Sequence, residues 1–168
     1  MSTATIPHFT VCEETQKYKA RRNLTAPQII SAAKKLIAQQ MHKGASFSKC
    51  GDAKEWLWMR YADRKNEVFV CLFLDNKNRL IKAEEMFKGT VNQSAVYPRV
   101  VAQRSLELNA SAVMFAHNHP GGSLLPSGPD IDITKKLKAV LELVEVRVLD
   151  HFIVGANGVF SFARRGMI

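Results

Sequence analysis

The sequence predicts a mixed α/β layer fold, because apolar runs of strand length alternate with segments of helical period. VFVCLFLD after Glu67 and SAVMFA at 111–116 are continuous apolar runs short enough to be buried strands. Between and after them, residues 98–108 and 131–144 space their apolar positions as one face of a helix. The chain then closes with two further strand-like runs, HFIVG and VFSFA.

Taken in order, residues 1 to about 23 mix Ser, Thr and Pro with a basic run, KYKARR, and show no apolar period, so a loosely docked arm is expected. Leu24 to Ile29 carry a helix start: Thr25 as N-cap, Gln28 as its capping-box partner, and Leu24 against Ile29 as a hydrophobic staple. Ile29, Ala33, Leu36, Ile37 and Met41 form an apolar stripe at helical spacing, read as core packing, with Gly44 as the stop. Asp52 and Glu55 suggest a second capped helix, Ala53 to about Ala62.

VFVCLFLD ends in the turn-like DNKN, so a hairpin to a returning strand at Arg79 to Ala83 is expected. Pro98 opens a helix to about Leu108. After SAVMFA comes the polar segment HNHPGGSLLPSGPD, then a helix from Ile131 to about Val144. The closing strands fold about an Asn157-Gly158 turn. These elements give a basic arm and helix over residues 1–44 and one domain over 45–168.

Composition narrows the function classes. A chain of 168 residues with 46% apolar content suits one principal core. Neither a signal peptide nor a run of 18 apolar residues is visible, which makes a cytoplasmic protein the expectation and argues against a membrane role. Cys12, Cys50 and Cys71 are too few and too scattered for a disulfide framework. The net charge of +9 favours polyanionic or acidic partners without choosing among them.

The chemistry concentrates in HNHPGGSLLPSGPD. His117 and His119, two apart at the carboxyl end of a strand, project from one face if the pleat continues. A catalytic zinc site takes three nitrogen or oxygen ligands at about 2.0–2.2 Å and keeps an open position. Asp130, in the first turn of the following helix, can be the third ligand. Each element also has a plain structural reading: His-x-His occurs at ordinary strand ends, and Ser127-x-x-Asp130 is a capping box.

The whole string, His-x-His-Pro, then Ser-x-x-Asp after a fixed gap, resembles the JAMM signature. The wider stretch from about Gly44 to the C-terminus is similar to the RadC family of bacterial proteins. That resemblance implies a deaminase-like α/β/α sandwich with a mixed sheet, the metal at one edge, and an N-terminal helical extension. It implies Zn²⁺ held by His117, His119 and Asp130, with Glu67 as general base and Ser127 donating to the oxyanion. Glu84 and Glu85 are rival bases. The activity implied is that of a zinc metallohydrolase, metallopeptidase-like, cutting an amide bond in a protein or peptide.

Two departures bear on the transfer. Gly121 stands where RadC-like loops commonly carry Ser. A helix-hairpin-helix region, present in full-length RadC proteins, is not visible in residues 1–45, so the chain looks like the short forms found on mobile elements. The alternative reading is a DNA-associated accessory protein of such an element, with a structural or vestigial metal. In support, residues 1–45 hold seven Lys or Arg against two Glu. A deaminase is disfavoured because the PCxxC ligands are missing. His151, in DHFIVG, reads as a hydrogen-bonded structural histidine. The Asn118 amide is a candidate tie for the loop.

Overall fold

The computed structural model describes residues 6–12, 14, 15, 17–40, 50–89 and 96–168. The chain divides into two compact units, Met1–His42 and Lys43–Ile168. Among the described residues no helix is long and apolar enough to cross a membrane.

The segment expected to be a mobile or loosely docked arm carries a short hairpin. Strands β1 (Phe9–Val11) and β2 (Tyr18–Ala20) pair antiparallel, and α1 (Ala26–Gln40) follows. The hairpin escaped the pattern because each strand has three residues and β2 is wholly exposed, so no apolar alternation marks it. The start of α1 follows the expected cap, with the Thr25 N–H donating to Gln28 Oε1 at 3.0 Å. The stripe does not pack as expected: Ile29 is 51% exposed, whereas Ala32 is 4% exposed. Met41 and Gly44 lie outside the described residues.

In the second unit, α2 (Cys50–Tyr61) begins three residues before Ala53, so Asp52 lies inside the helix rather than capping it. Five strands, β3 (Val68–Leu74), β4 (Leu80–Lys88), β5 (Ala112–Asn118), β6 (Arg147–Gly155) and β7 (Gly158–Ser161), form one sheet in the order β4-β3-β5-β6-β7. β5 and β6 are parallel and every other pairing is antiparallel, which makes the sheet mixed. Helix α3 (Pro98–Glu107) precedes β5, and α4 (Gly128–Glu142) makes the crossover from β5 to β6.

All seven residues of both β3 and β5 are buried, as central strands covered on two faces must be. On one face Phe69, Cys71, Phe73, Val113 and Phe115 meet Val101 and Ala102 of α3 and Leu137 and Leu141 of α4. Helix α2 packs against β5, β6 and β7 and carries buried Ala53, Trp56 and Leu57. The architecture is the expected α/β fold with a mixed sheet.

Turn chemistry accounts for the two hairpins. Asp75 Oδ1 accepts from the N–H groups of Lys77 and Arg79, both at 2.9 Å, and Asn78 takes a positive φ of 56°, closing β3 onto β4. The returning strand runs on to Lys88 because its pairing with β3 continues to Val68. The last hairpin turns through Ala156 and Asn157, one residue earlier than expected, with Gly155 paired to Gly158.

Candidate metal centre

The end of β5 supplies two of the candidate ligands. His117 is the partner of Phe69 on β3 and of Ile153 on β6, so it is held in the middle of the sheet. The His119 N–H still donates to the Val154 carbonyl, at 3.0 Å. The ladder therefore continues past the strand, and both imidazoles fall on one face as the pleat requires. The edge that carries the site is the ends of the strands, at central strand β5, and not an edge strand.

The third group arrives from α4. Ser127 is its N-cap and Asp130 its N3 residue, in a full capping box: the Ser127 N–H donates to Asp130 Oδ2 at 2.7 Å, and the Asp130 N–H donates to Ser127 Oγ at 3.2 Å. The Ser127 hydroxyl also donates to Asp130 Oδ2, at 2.7 Å, so here its proton lies on the carboxylate rather than toward an open site. Between β5 and α4 the loop turns at Gly122, whose φ is +79° and whose N–H donates to the His119 carbonyl at 2.8 Å.

These elements bring three ligating side chains together. His117 Nε2 lies 3.0 Å from His119 Nε2 and 3.2 Å from Asp130 Oδ1, and His119 Nε2 lies 3.3 Å from Asp130 Oδ2. The side chains are graded from core to surface, at 2% exposed for His117, 14% for Asp130 and 18% for His119. That gradient leaves one side of the cluster open.

The donor set fits a divalent cation. The Ser123 carbonyl can only accept, so its 3.1 Å contact with His119 Nδ1 places a proton on that nitrogen and turns the Nε2 lone pair inward. A carboxylate offers only lone pairs, and such atoms at these separations repel unless positive charge lies between them. When His119 is protonated, its hydrogen bond to Asp130 favours that charged form and raises its pKa. Burial pushes the Asp130 carboxyl up, but hydrogen bonds from His117 and His119 in their protonated forms, and from Ser127, outweigh it and hold the group far below the usual carboxylate range. Among the described residues this is the one cluster of three such groups with metal-binding spacing.

The acidic candidates separate clearly. Glu67 is half-buried immediately before β3, and continuing the register Phe69↔His117 by two residues sets it opposite His119. Its charge contributes to the raised pKa of His119. Glu84 instead pairs with Arg104 at 2.7 Å and Lys82 at 2.6 Å, and Glu85 with Arg64 at 2.9 Å. Both rivals are neutralised by neighbouring cations.

Three further residues shape this region. Asn118, on the opposite face of β5, accepts the Val68 N–H at 2.9 Å and donates to the carbonyls of Arg64 and Asn66 at 3.2 Å each, so it fixes the turn that carries Glu67. His151 is fully buried, between the Phe115 and Phe162 rings, and its Nε2 lies 2.9 Å from His117 Nδ1. Burial, helped by His117, holds its pKa well below the ordinary imidazole range. Thr134, on α4, lies 2.6 Å from His151 Nδ1. Nothing in the sequence pattern singles out Thr134, which needs the α4 and β6 contact to acquire meaning.

Comparison with known proteins identifies the family. The model of the RadC-like JAB domain matches residues 47–167. A UPF0758 protein of Methylibium petroleiphilum is 45% identical over 140 residues, covering 83% of this chain and 63% of the relative. Another, of Cupriavidus pinatubonensis, is 45% identical over 134 residues, covering 80% and 59%. A third, of Vibrio cholerae, is 44% identical over 141 residues, covering 84% of this chain and 89% of the relative. The chain thus spans about three fifths of the length of the first two. The chain belongs to the RadC-like JAB domain family.

Proposed function

We propose that the protein is a zinc-dependent hydrolase of amide bonds, metallopeptidase-like or isopeptidase-like, with His117, His119 and Asp130 as the metal ligands. The observation that carries this reading is the convergence of two imidazole Nε2 atoms and a carboxylate, all within 4.8 Å of one another, on a face with an open side. When bound, such an ion supplies a water of lowered pKa and a Lewis acid for the scissile carbonyl. Nitrogen and oxygen donors in a set of three favour zinc over the harder cations, which prefer all-oxygen shells.

The protein's own residues divide the remaining work. Glu67, which among the described residues has none of the cation pairs that occupy Glu84 and Glu85, takes the proton of the attacking water and returns it to the leaving amine. Asn118 keeps the Glu67 turn in place. Ser127 orients the Asp130 carboxylate, and on rotation its hydroxyl donates to the oxyanion of the substrate. The substrate is a protein or peptide.

Equilibrium dialysis against Zn²⁺, followed by a peptide-library cleavage screen read by mass spectrometry, tests the reading in two stages. Wild type should bind about one zinc per chain and Asp130→Ala should bind far less, while Glu67→Gln keeps the metal and loses cleavage. Equal zinc in wild type and Asp130→Ala removes the metal centre. Zinc binding with no difference in cleavage between wild type and Glu67→Gln removes the hydrolase.

A second reading, contact with DNA as an accessory factor of a mobile element, draws on the first unit. Lys17, Lys19, Arg21 and Arg22 are all exposed on and beside β2. Phosphate contacts by this group would make DNA affinity depend on salt, and neutralising all four should flatten that dependence. An unchanged salt slope in the quadruple variant eliminates this reading.

A further inference from the structure

Behind the triad runs a buried hydrogen-bonded chain. His117 Nδ1 meets His151 Nε2 at 2.9 Å, His151 Nδ1 meets Thr134 Oγ1 at 2.6 Å, and Thr134 Oγ1 meets the Asp130 carbonyl oxygen at 2.5 Å. His151 is 0% exposed, His117 2% and Thr134 3%, so bulk water completes none of these contacts. The chain begins on one metal ligand and ends on the main chain of another.

The protons of this chain can be assigned from one fixed end. A peptide carbonyl accepts and never donates. Two oxygens 2.5 Å apart repel unless a proton lies between them, so the single hydroxyl proton of Thr134 lies on the Asp130 carbonyl. This is the back-bond to the residue one turn earlier that threonine makes in helices. The hydroxyl oxygen must then accept from its other neighbour, which requires a proton on His151 Nδ1. A second proton on His151 would place a cation among Phe69, Phe115 and Phe162, out of reach of water. His151 Nε2 therefore carries a lone pair, and His117 Nδ1 supplies the proton between the two rings.

We infer that His151 and Thr134 are positioning residues that fix His117 in its Nδ1–H tautomer, with the Nε2 lone pair presented to the metal site. Asp130 closes the circuit, since its carboxylate faces the same site while its carbonyl anchors the chain. The arrangement ties the end of β5, the middle of β6 and the first turns of α4 to one ligand geometry. Its importance for metal binding rests on the proposed metal centre, but the proton assignment does not depend on a bound ion.

The test uses the full-length protein with ¹⁵N-labelled histidine. In the metal-free protein, long-range ¹H–¹⁵N correlation spectra should show both His117 and His151 protonated at Nδ1, with His151 bare at Nε2. Thr134→Val keeps the shape and removes the hydroxyl. It should shift the His151 tautomer and lower Zn²⁺ affinity by about 10–100-fold, whereas Thr134→Ser should preserve both. A wild-type His151 protonated at Nε2 overturns the inference, as does a Thr134→Val protein with wild-type tautomers and wild-type zinc affinity. If the valine variant does not fold, the wild-type spectrum alone decides. If wild type binds no zinc, the metal-centre reading fails, while the spectra still decide the tautomers.

Discussion

Gly155 approaches Gly122 so closely that a β-carbon on Gly155 would lie 2.6 Å from the Gly122 carbonyl oxygen. Gly122 shapes the loop between His119 and α4, and Gly155 ends β6, so the bare glycine lets the loop rest on the strand end. The same position would bring a side chain within 2.9 Å of Leu124 Cδ2. Gly155→Ala must therefore displace backbone in the loop that carries the candidate ligands. We expect a loss of about 1–3 kcal/mol in unfolding free energy, with weakened zinc binding. Gly121, by contrast, has nothing within 4 Å of an added β-carbon. Gly121→Ser should change stability by no more than about 0.5 kcal/mol. Urea unfolding of both variants checks the pair, and equal costs would show that this contact does not hold the loop.

Asn118 gives a second prediction because its amide makes contacts of opposite polarity. Its oxygen accepts from Val68 while its nitrogen donates to the carbonyls of Arg64 and Asn66, and the side chain is buried. Asn118→Asp keeps the acceptor but turns a carboxylate oxygen toward two carbonyls. The expected cost is about 1–3 kcal/mol, since buried acceptors would face each other unsatisfied. A wild-type denaturation midpoint in Asn118→Asp would dismiss the amide as an anchor of the Glu67 turn.

Acid stability should report the Glu84 and Arg104 pair. The Arg104 hydrogen bond lowers the Glu84 pKa from 4.5 to about 2, against the opposing effect of burial. A carboxyl whose folded pKa is depressed adds stability above its unfolded value and loses it as pH falls toward the folded value, so the window here is 4.5 down to about 2. Because the pair is partly exposed, solvent screening reduces its contribution. Arg104→Met should be less stable than wild type near about pH 5.5, with the gap closing toward about pH 2. A gap that stays constant across this window would assign the loss to packing rather than charge.

How far the sequence revealed this molecule depended on where its contacts lie along the chain. His117, His119, Ser127 and Asp130 were legible because one string of 14 residues holds them all, and local rules for pleat and cap already bring them near. The buried strands were legible because their composition is uniform over seven residues. The chain through His151 and Thr134 was not, because His151 lies 34 residues from His117 and 17 from Thr134. Only the parallel pairing of β5 and β6 sets these rings in contact. A lone buried histidine has the same sequence signal whatever it touches, so Asp-His at 150–151 read only as structure.

Ser127 carries the last prediction, since its hydroxyl stands between two roles. It accepts the Asp130 N–H and donates to Asp130 Oδ2, so both contacts face the helix start. Ser127→Ala removes the cap and one of the hydrogen bonds that orient the carboxylate. The Ser127 N–H bond to Oδ2, at 2.7 Å, does not depend on the side chain and should survive. Stability should therefore fall by about 0.5–2 kcal/mol, with zinc still bound. Zinc affinity should drop by up to about tenfold, because one outer hydrogen bond to a ligand is lost. Donation to an oxyanion requires the hydroxyl to rotate away from Oδ2, a move that becomes favourable only as negative charge develops on the substrate. If that rotation occurs, turnover of the zinc-loaded variant should fall by about 10²–10³-fold, mainly in kcat. Ser127→Thr keeps a hydroxyl on the same atom and should recover the cap. Wild-type kcat in zinc-loaded Ser127→Ala, measured on a substrate from the cleavage screen, would confine Ser127 to capping α4 and orienting Asp130.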